Sequence, residues 1–73
     1  MNAHSSRARR LGRVTDYDDA AAYGTVTDAE GEWFFHCTAI ADGSRSIATG
    51  VQVAFVLAPG HRGRLEAHDI VPA

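Results

Sequence analysis

The 73-residue chain has one cysteine, no lysine and no long apolar run. A single cysteine cannot form an intramolecular disulfide, which excludes a disulfide-stapled secreted scaffold and makes a reducing compartment the expectation. No apolar stretch approaches the roughly 18 residues that a membrane-spanning helix needs. The first ten residues are basic but lack the apolar segment of a signal peptide. The composition therefore predicts a soluble cytoplasmic protein that does not bind membranes.

The net charge of −2 hides an uneven distribution. Residues 1–13 carry four arginines and no acid, whereas residues 14–42 carry seven acids and no base. Residues 43–73 have a net charge of +1. A nucleic-acid-binding protein usually presents a basic stripe on its working face. The acidic middle block is therefore unusual for such a protein.

The residue pattern predicts an arm followed by one small domain. Residues 1–10 are polar and aperiodic, which predicts a flexible basic arm, and residues 11–73 form the folded domain. Five stretches in the domain have strand-like alternation or β-forming residues: 11–17, 23–27, 33–37, 51–57 and 64–71. A single helical turn is expected at 38–40. Five short strands without a long helix predict an all-β fold, a small closed five-stranded barrel.

Alternation along the strands predicts which side chains face the core and which face outward. The inward residues are expected to include Trp33 and Phe35 in the third strand and Leu65 and Ala67 in the fifth. On the opposite face of the third strand, Phe34 and His36 would stand beside Tyr23 of the second strand. Exposed rings on a small barrel can stack unpaired bases. This ring surface is the main indication of function in the sequence.

An ordered series of glycines and apolar positions extends over some 60 of the 73 residues. It includes the segments Gly12–Asp18, Ala21–Val26, Trp33–Cys37, Thr38–Ile40, Gly50–Phe55 and Gly60–Ile70. This series resembles the cold-shock domain, a five-stranded barrel of the oligonucleotide-binding (OB) type. The resemblance implies that the chain binds single-stranded RNA or DNA with low sequence preference, as an RNA chaperone or a regulator of transcription or translation.

The same resemblance assigns the site residues. Four positions of stacking rings keep a ring (Tyr17, Tyr23, Phe34 and His36), while Asp16, Thr25 and Cys37 replace rings. Each stacked base contributes about 1–3 kcal/mol, so three lost rings reduce affinity by roughly a hundredfold. From charge alone, and not from the resemblance, three arginines are expected to meet the phosphates together with the basic arm: Arg13, Arg62 and Arg64. The predicted protein thus binds more weakly than typical members.

A second hypothesis is a barrel that binds another protein through the acidic block 14–42, with exposed aromatics as anchors.

Catalysis is not expected, because Cys37 and His36 are neighbours on a strand and point to opposite faces. The acids near Asp16 lack the spacing of a calcium loop. We therefore expect no enzymatic activity, no metal or other cofactor, and no small-molecule substrate.

Overall fold

A computed structural model describes residues 9–73, and these residues form five strands joined by turns. The strands are β1 (Arg10–Asp18), β2 (Tyr23–Asp28), β3 (Gly31–His36), β4 (Gln52–Pro59) and β5 (Leu65–Pro72). Short 3₁₀ turns occupy Cys37–Ala39 and His61–Gly63. All five predicted strands are present, and the helical turn predicted at 38–40 lies one residue earlier.

The strands close into a barrel in the order β1-β2-β3-β5-β4, with β4 pairing back onto β1. Four of the pairs are antiparallel, and the β3–β5 pair is parallel. The prediction of an all-β, five-stranded OB-type barrel is therefore confirmed. No helix in the described part of the chain is long and apolar enough to cross a membrane.

The core consists of inward residues of all five strands together with Ala39 and Ile40, which follow β3. The fully buried side chains are β-branched or aromatic, as expected on pleated surfaces that pack inside a barrel: Val14, Val26, Phe35, Val53, Phe55 and Ile70. Ala67 is also fully buried, as predicted. The alternation in the sequence therefore identified most of the core.

Two of the predicted core positions differ from the structure. Leu65 is 50% exposed, so the prediction that it faces the core is wrong. It is the first residue of β5 and pairs with Pro59 at the last position of β4, where the strands extend beyond the core. Trp33 is only half-buried and packs against the edge of the core.

Gly24 allows a close approach between β1 and β2. A Cβ at this position would overlap the carbonyl oxygen of Asp16 and lie 2.9 Å from Cδ1 of Tyr17. Without that Cβ, the ring of Tyr17 reaches across β2 and stacks on Phe35, with centroids 5.7 Å apart and planes inclined by 7°. The stacked rings of Tyr17 and Phe35 thus connect β1 to β3 across Gly24 on β2.

The first described residues are bound to the barrel. Arg9 donates a 2.9 Å hydrogen bond to the Asp69 carboxylate on β5, and Arg10 is the first residue of β1. The strand therefore begins within the segment predicted as an arm, at its last residue. Residues 1–8, which make up most of that arm, lie outside the described residues.

Candidate nucleic-acid interface

Three rings meet on the outer surface of β2 and β3. The register places Tyr23 opposite His36 and Thr25 opposite Phe34. The ring centroids of Tyr23 and Phe34 are 5.2 Å apart, and those of Phe34 and His36 are 4.9 Å apart in an edge-on arrangement. These distances are typical of favourable aromatic contacts. We refer to Tyr23, Phe34 and His36 as the ring cluster.

The ring cluster results from local sequence. A tight turn at Ala29 and Glu30 sets the register of the hairpin. The Asp28 carboxylate accepts hydrogen bonds from the backbone N–H groups of Glu30 and Gly31, at 2.8 and 3.2 Å. Side chains then alternate along each strand, so the rings lie outside while Phe35 lies in the core. Tyr23 is 44% exposed, which leaves its ring available to a ligand.

A groove with a volume of about 560 Å³ runs from the ring cluster toward the start of β5. Its size is within the range of about 300–1,000 Å³ found for ligand pockets. The lining residues come from β2, β3, β5 and the residue before β5: Thr25, Glu32, Phe34, His36, Arg64, Leu65 and Glu66. The groove therefore combines two rings and an aliphatic side chain with groups of both charges.

The three arginines predicted to meet phosphate lie in different places. Arg64 is exposed and lines the groove beside Phe34. Arg62 is exposed in the turn before β5, with a left-handed φ of 59°. Arg13 lies on the outer face of β1 and donates a 2.7 Å hydrogen bond to the carbonyl of Gly50. Only Arg64 of this set lines the groove.

Tyr17 is not part of the ring cluster. It pairs with Gly24, faces the core side of β1, and its hydroxyl donates a 2.7 Å hydrogen bond to the carbonyl of Arg45. Burial raises the pKa of the Tyr17 hydroxyl above its usual value. The four predicted stacking rings are therefore split by the structure: three meet on the surface, and Tyr17 packs behind them.

The β1 side of the ring cluster is polar and acidic. Asp16 is opposite Thr25 and Asp18 is opposite Tyr23, and both carboxylates are exposed. Between them and β2, the hydroxyl of Thr15 contacts those of Thr25 and Thr27 at 3.2 and 2.9 Å. The rings of this outer surface thus lie on β2 and β3, and the neighbouring side chains of β1 are polar.

Sequence reasoning missed Glu32 and Leu65 as groove residues. Glu32 is two positions before Phe34, so strand alternation already places it on the ring face. The alternation instead placed Leu65 in the core, because its exposure depends on where β5 begins. Among the described residues, no group of three or more histidine, cysteine or acidic side chains is arranged to hold a metal ion.

Comparison with known protein families agrees with this geometry. The family model described as the "'Cold-shock' DNA-binding domain" matches residues 10–73 of the chain. The match spans all five strands of the barrel. A comparison with curated proteins finds no relative.

Proposed function

The chain belongs to the 'Cold-shock' DNA-binding domain family, a family of nucleic-acid-binding and not typically enzymatic proteins, and we propose that it binds single-stranded RNA or DNA with low sequence preference. The observation that carries the proposal is the exposed ring cluster beside a groove lined by Arg64. Bases stack on Tyr23, Phe34 and His36, which is sequence-tolerant because every base has a π face. Arg64 provides a positive charge for the phosphate next to the stacked bases.

We expect weak binding, because the surface has few rings and few arginines that are not already paired. Only three rings are available, β1 has Asp16 in place of a further ring and the exposed Asp18 nearby, and two arginines near the start of β1 are occupied. Arg9 pairs with Asp69, and Arg10 pairs with Asp28 and Glu30. Few cations remain to release counterions from the nucleic acid, so we expect micromolar affinity at low salt and a shallow salt dependence.

The biological role that we propose is RNA chaperoning or regulation of transcription or translation in the cytoplasm. Stacking competes with base pairing, so reversible binding is sufficient to melt weak secondary structure without turnover. No cofactor takes part in such a mechanism. Arg7, which lies outside the described residues, would add a further phosphate contact.

The test is a fluorescence-anisotropy titration with labelled single-stranded DNA and RNA at low and moderate salt. Replacing Phe34 by alanine removes the central ring and should weaken binding about 5- to 150-fold, equivalent to one stacked base. The control is Leu11→Ala, since Leu11 is 66% exposed on β1 and does not line the groove. Its affinity should match that of the unmodified protein.

Absence of binding to any oligonucleotide at low salt would contradict the proposal. That result would favour the second hypothesis, in which exposed carboxylates such as Asp16 and Asp18 contact a basic partner protein. Equal weakening in Phe34→Ala and Leu11→Ala would show that affinity does not depend on the ring cluster.

A further inference from the structure

A row of three threonine hydroxyls crosses the outer face of β1 and β2 next to the ring cluster. Oγ1 of Thr15 on β1 lies 3.2 Å from Oγ1 of Thr25 and 2.9 Å from Oγ1 of Thr27, both on β2. We refer to Thr15, Thr25 and Thr27 as the hydroxyl row. Thr25 is opposite Phe34 of β3 and lines the groove with it. The hydroxyl row therefore reaches the place where the central ring would stack a base.

An irregularity in β1 creates the hydroxyl row. The pairing of β1 with β2 shifts register between Val14 and Asp16, so Thr15 is an extra residue with no opposed partner in the ladder. Such a bulge re-aims the side chain that it carries. Val14 is fully buried, whereas Thr15 is exposed and its hydroxyl contacts both threonines of β2. The bulge thus joins the hydroxyls of two strands into one chain of contacts.

The hydroxyl row keeps unused hydrogen-bonding capacity. Each threonine hydroxyl can donate one hydrogen bond and accept two. The two contacts within the row leave most of the acceptor positions open. The remaining donor can go to the carbonyl of Thr25, which lies 3.4 Å from the Thr15 hydroxyl, or to a ligand. The row is thus a neutral surface that can accept hydrogen bonds and can also donate one.

The charges around the hydroxyl row decide which part of a nucleic-acid strand it suits. Asp16, next to Thr15 on β1, is exposed and opposite Thr25, whereas Arg64 lines the groove at the start of β5. A phosphate is therefore repelled on the β1 side and attracted on the β5 side. The ribose is the neutral polar part of the backbone, and its 2′-hydroxyl both donates and accepts hydrogen bonds. DNA lacks this group.

We propose that the Thr25 hydroxyl, held in the hydroxyl row, contacts the 2′-hydroxyl of the nucleotide stacked on Phe34 and makes the protein prefer RNA over DNA. This inference rests on the proposed function and selects one of its two ligand classes. The contact is to the sugar, so the preference is independent of base sequence. Thr25 occupies one of the positions where the resemblance expects a ring. The residue that removes a stacking surface therefore provides the sugar contact.

The experiment compares hexamers of one mixed sequence, with uracil in place of thymine, that differ only at the 2′ position. Each is titrated by fluorescence anisotropy against the full chain, with a hydroxyl, a hydrogen or a fluorine at the 2′ position. The 2′-fluoro sugar keeps the ring pucker of RNA but has no donor. The 2′-hydroxyl hexamer should bind about 2- to 12-fold more tightly than the 2′-hydrogen hexamer, the range of one net hydrogen bond. The 2′-fluoro hexamer should bind like the 2′-hydrogen hexamer.

Three threonine variants connect the preference to one hydroxyl. Thr25→Val removes the hydroxyl but keeps the β-branched shape that suits a strand, and it should make the affinities for RNA and DNA equal. Thr25→Ser keeps the hydroxyl and should retain the preference. The control is Thr49→Val, which makes the same change at an exposed threonine outside the hydroxyl row and the groove. It should bind each hexamer like the unmodified protein.

Equal affinity for the 2′-hydroxyl and 2′-hydrogen hexamers would overturn the inference, and so would a preference for RNA that survives in Thr25→Val. Binding of the 2′-fluoro hexamer as tight as that of RNA would show that the sugar pucker, and not the hydroxyl, is recognised. In each of these cases the proposed stacking function would stand. Failure of every hexamer to bind at low salt would instead overturn the proposed function, and this inference with it.

Discussion

The two ends of the β2–β3 hairpin use their side chains differently. At the turn, Arg10 donates to Asp28 at 2.8 Å and to Glu30 at 2.6 Å, and its guanidinium lies 5.4 Å from the ring centroid of Trp33. Here the charged groups neutralise one another. At the open end, about 17 Å away along the strands, the ring cluster has no covering element among the described residues.

The difference shows how one hairpin can serve stability and binding separately. Groups that are paired within the protein lower the free energy of the fold and are unavailable to a ligand. Exposed rings contribute little to the fold but provide a surface for stacking. Substitutions at the two ends should therefore affect different measurements, and the expected effects below run from the largest to the smallest.

Phe34 and Phe35 are adjacent residues that test this separation. Phe35 is fully buried, so Phe35→Ala should lower the free energy of unfolding by about 3–5 kcal/mol. Phe34→Ala should lower it by less than about 1 kcal/mol, because its ring lies half-buried on the outer face of the sheet, beside Tyr23 and His36, and not in the core. Urea denaturation followed by tryptophan fluorescence measures both. Similar losses in the two variants would show that the ring cluster is part of the core.

Asp28→Asn tests the turn end of the hairpin. The amide can still accept the N–H groups of Glu30 and Gly31, but it loses its charge–charge contact with Arg10. We expect a loss of about 1–3 kcal/mol in the free energy of unfolding and no change in oligonucleotide affinity. The control is Asp69→Asn, whose pair with Arg9 is exposed at 40% and 61% and should contribute less than about 1 kcal/mol. A reversed ranking would contradict the assignment.

Low pH should weaken the same contact in the unmodified protein. Desolvation acts to raise the pKa of Asp28, but hydrogen bonds from Arg10 and from the backbone N–H of Glu30 outweigh it and lower the pKa to about 2. The stabilisation is therefore present above the unfolded-state pKa of about 4 and is lost as the pH falls toward 2. Urea midpoints measured from pH 5 to pH 2 should fall more steeply for the unmodified protein than for Asp28→Asn. Parallel curves would exclude Asp28 as the titrating group.

The smallest effect is expected at Tyr17, which packs behind the ring cluster. Tyr17→Phe removes the hydroxyl that donates to the carbonyl of Arg45 and keeps the stacking on Phe35. The free energy of unfolding should fall by about 0.5–1.5 kcal/mol, the usual net contribution of one hydrogen bond. Oligonucleotide affinity should remain within twofold. A larger loss of affinity with unchanged stability would place Tyr17 in the binding surface.

Much of this molecule follows from local sequence patterns. Alternation along residues 23–28 and 31–36 is enough to predict that Phe34 and His36 share the outer face with Tyr23 and that Phe35 is buried, because side chains of a strand alternate between its two faces. The presence of five short strands without a long helix predicts a small barrel. The alternation depends only on residues close together in the chain, whereas closure of the barrel needs β1 to pair with β4 and β3 to pair with β5.

Contacts between distant residues decided the rest. The exposure of Leu65 depends on where β5 begins, and the inward position of Tyr17 depends on a close approach at Gly24 and on Phe35 beyond it. The pairing of Arg10 with Asp28, and the position of Arg64 beside Phe34, join residues 18 and 30 positions apart. The sequence by itself determined the barrel and its ring face. Only the tertiary structure decided which charged groups neutralise one another and which line the groove, because charge pairing depends on distances across strands that local patterns do not encode.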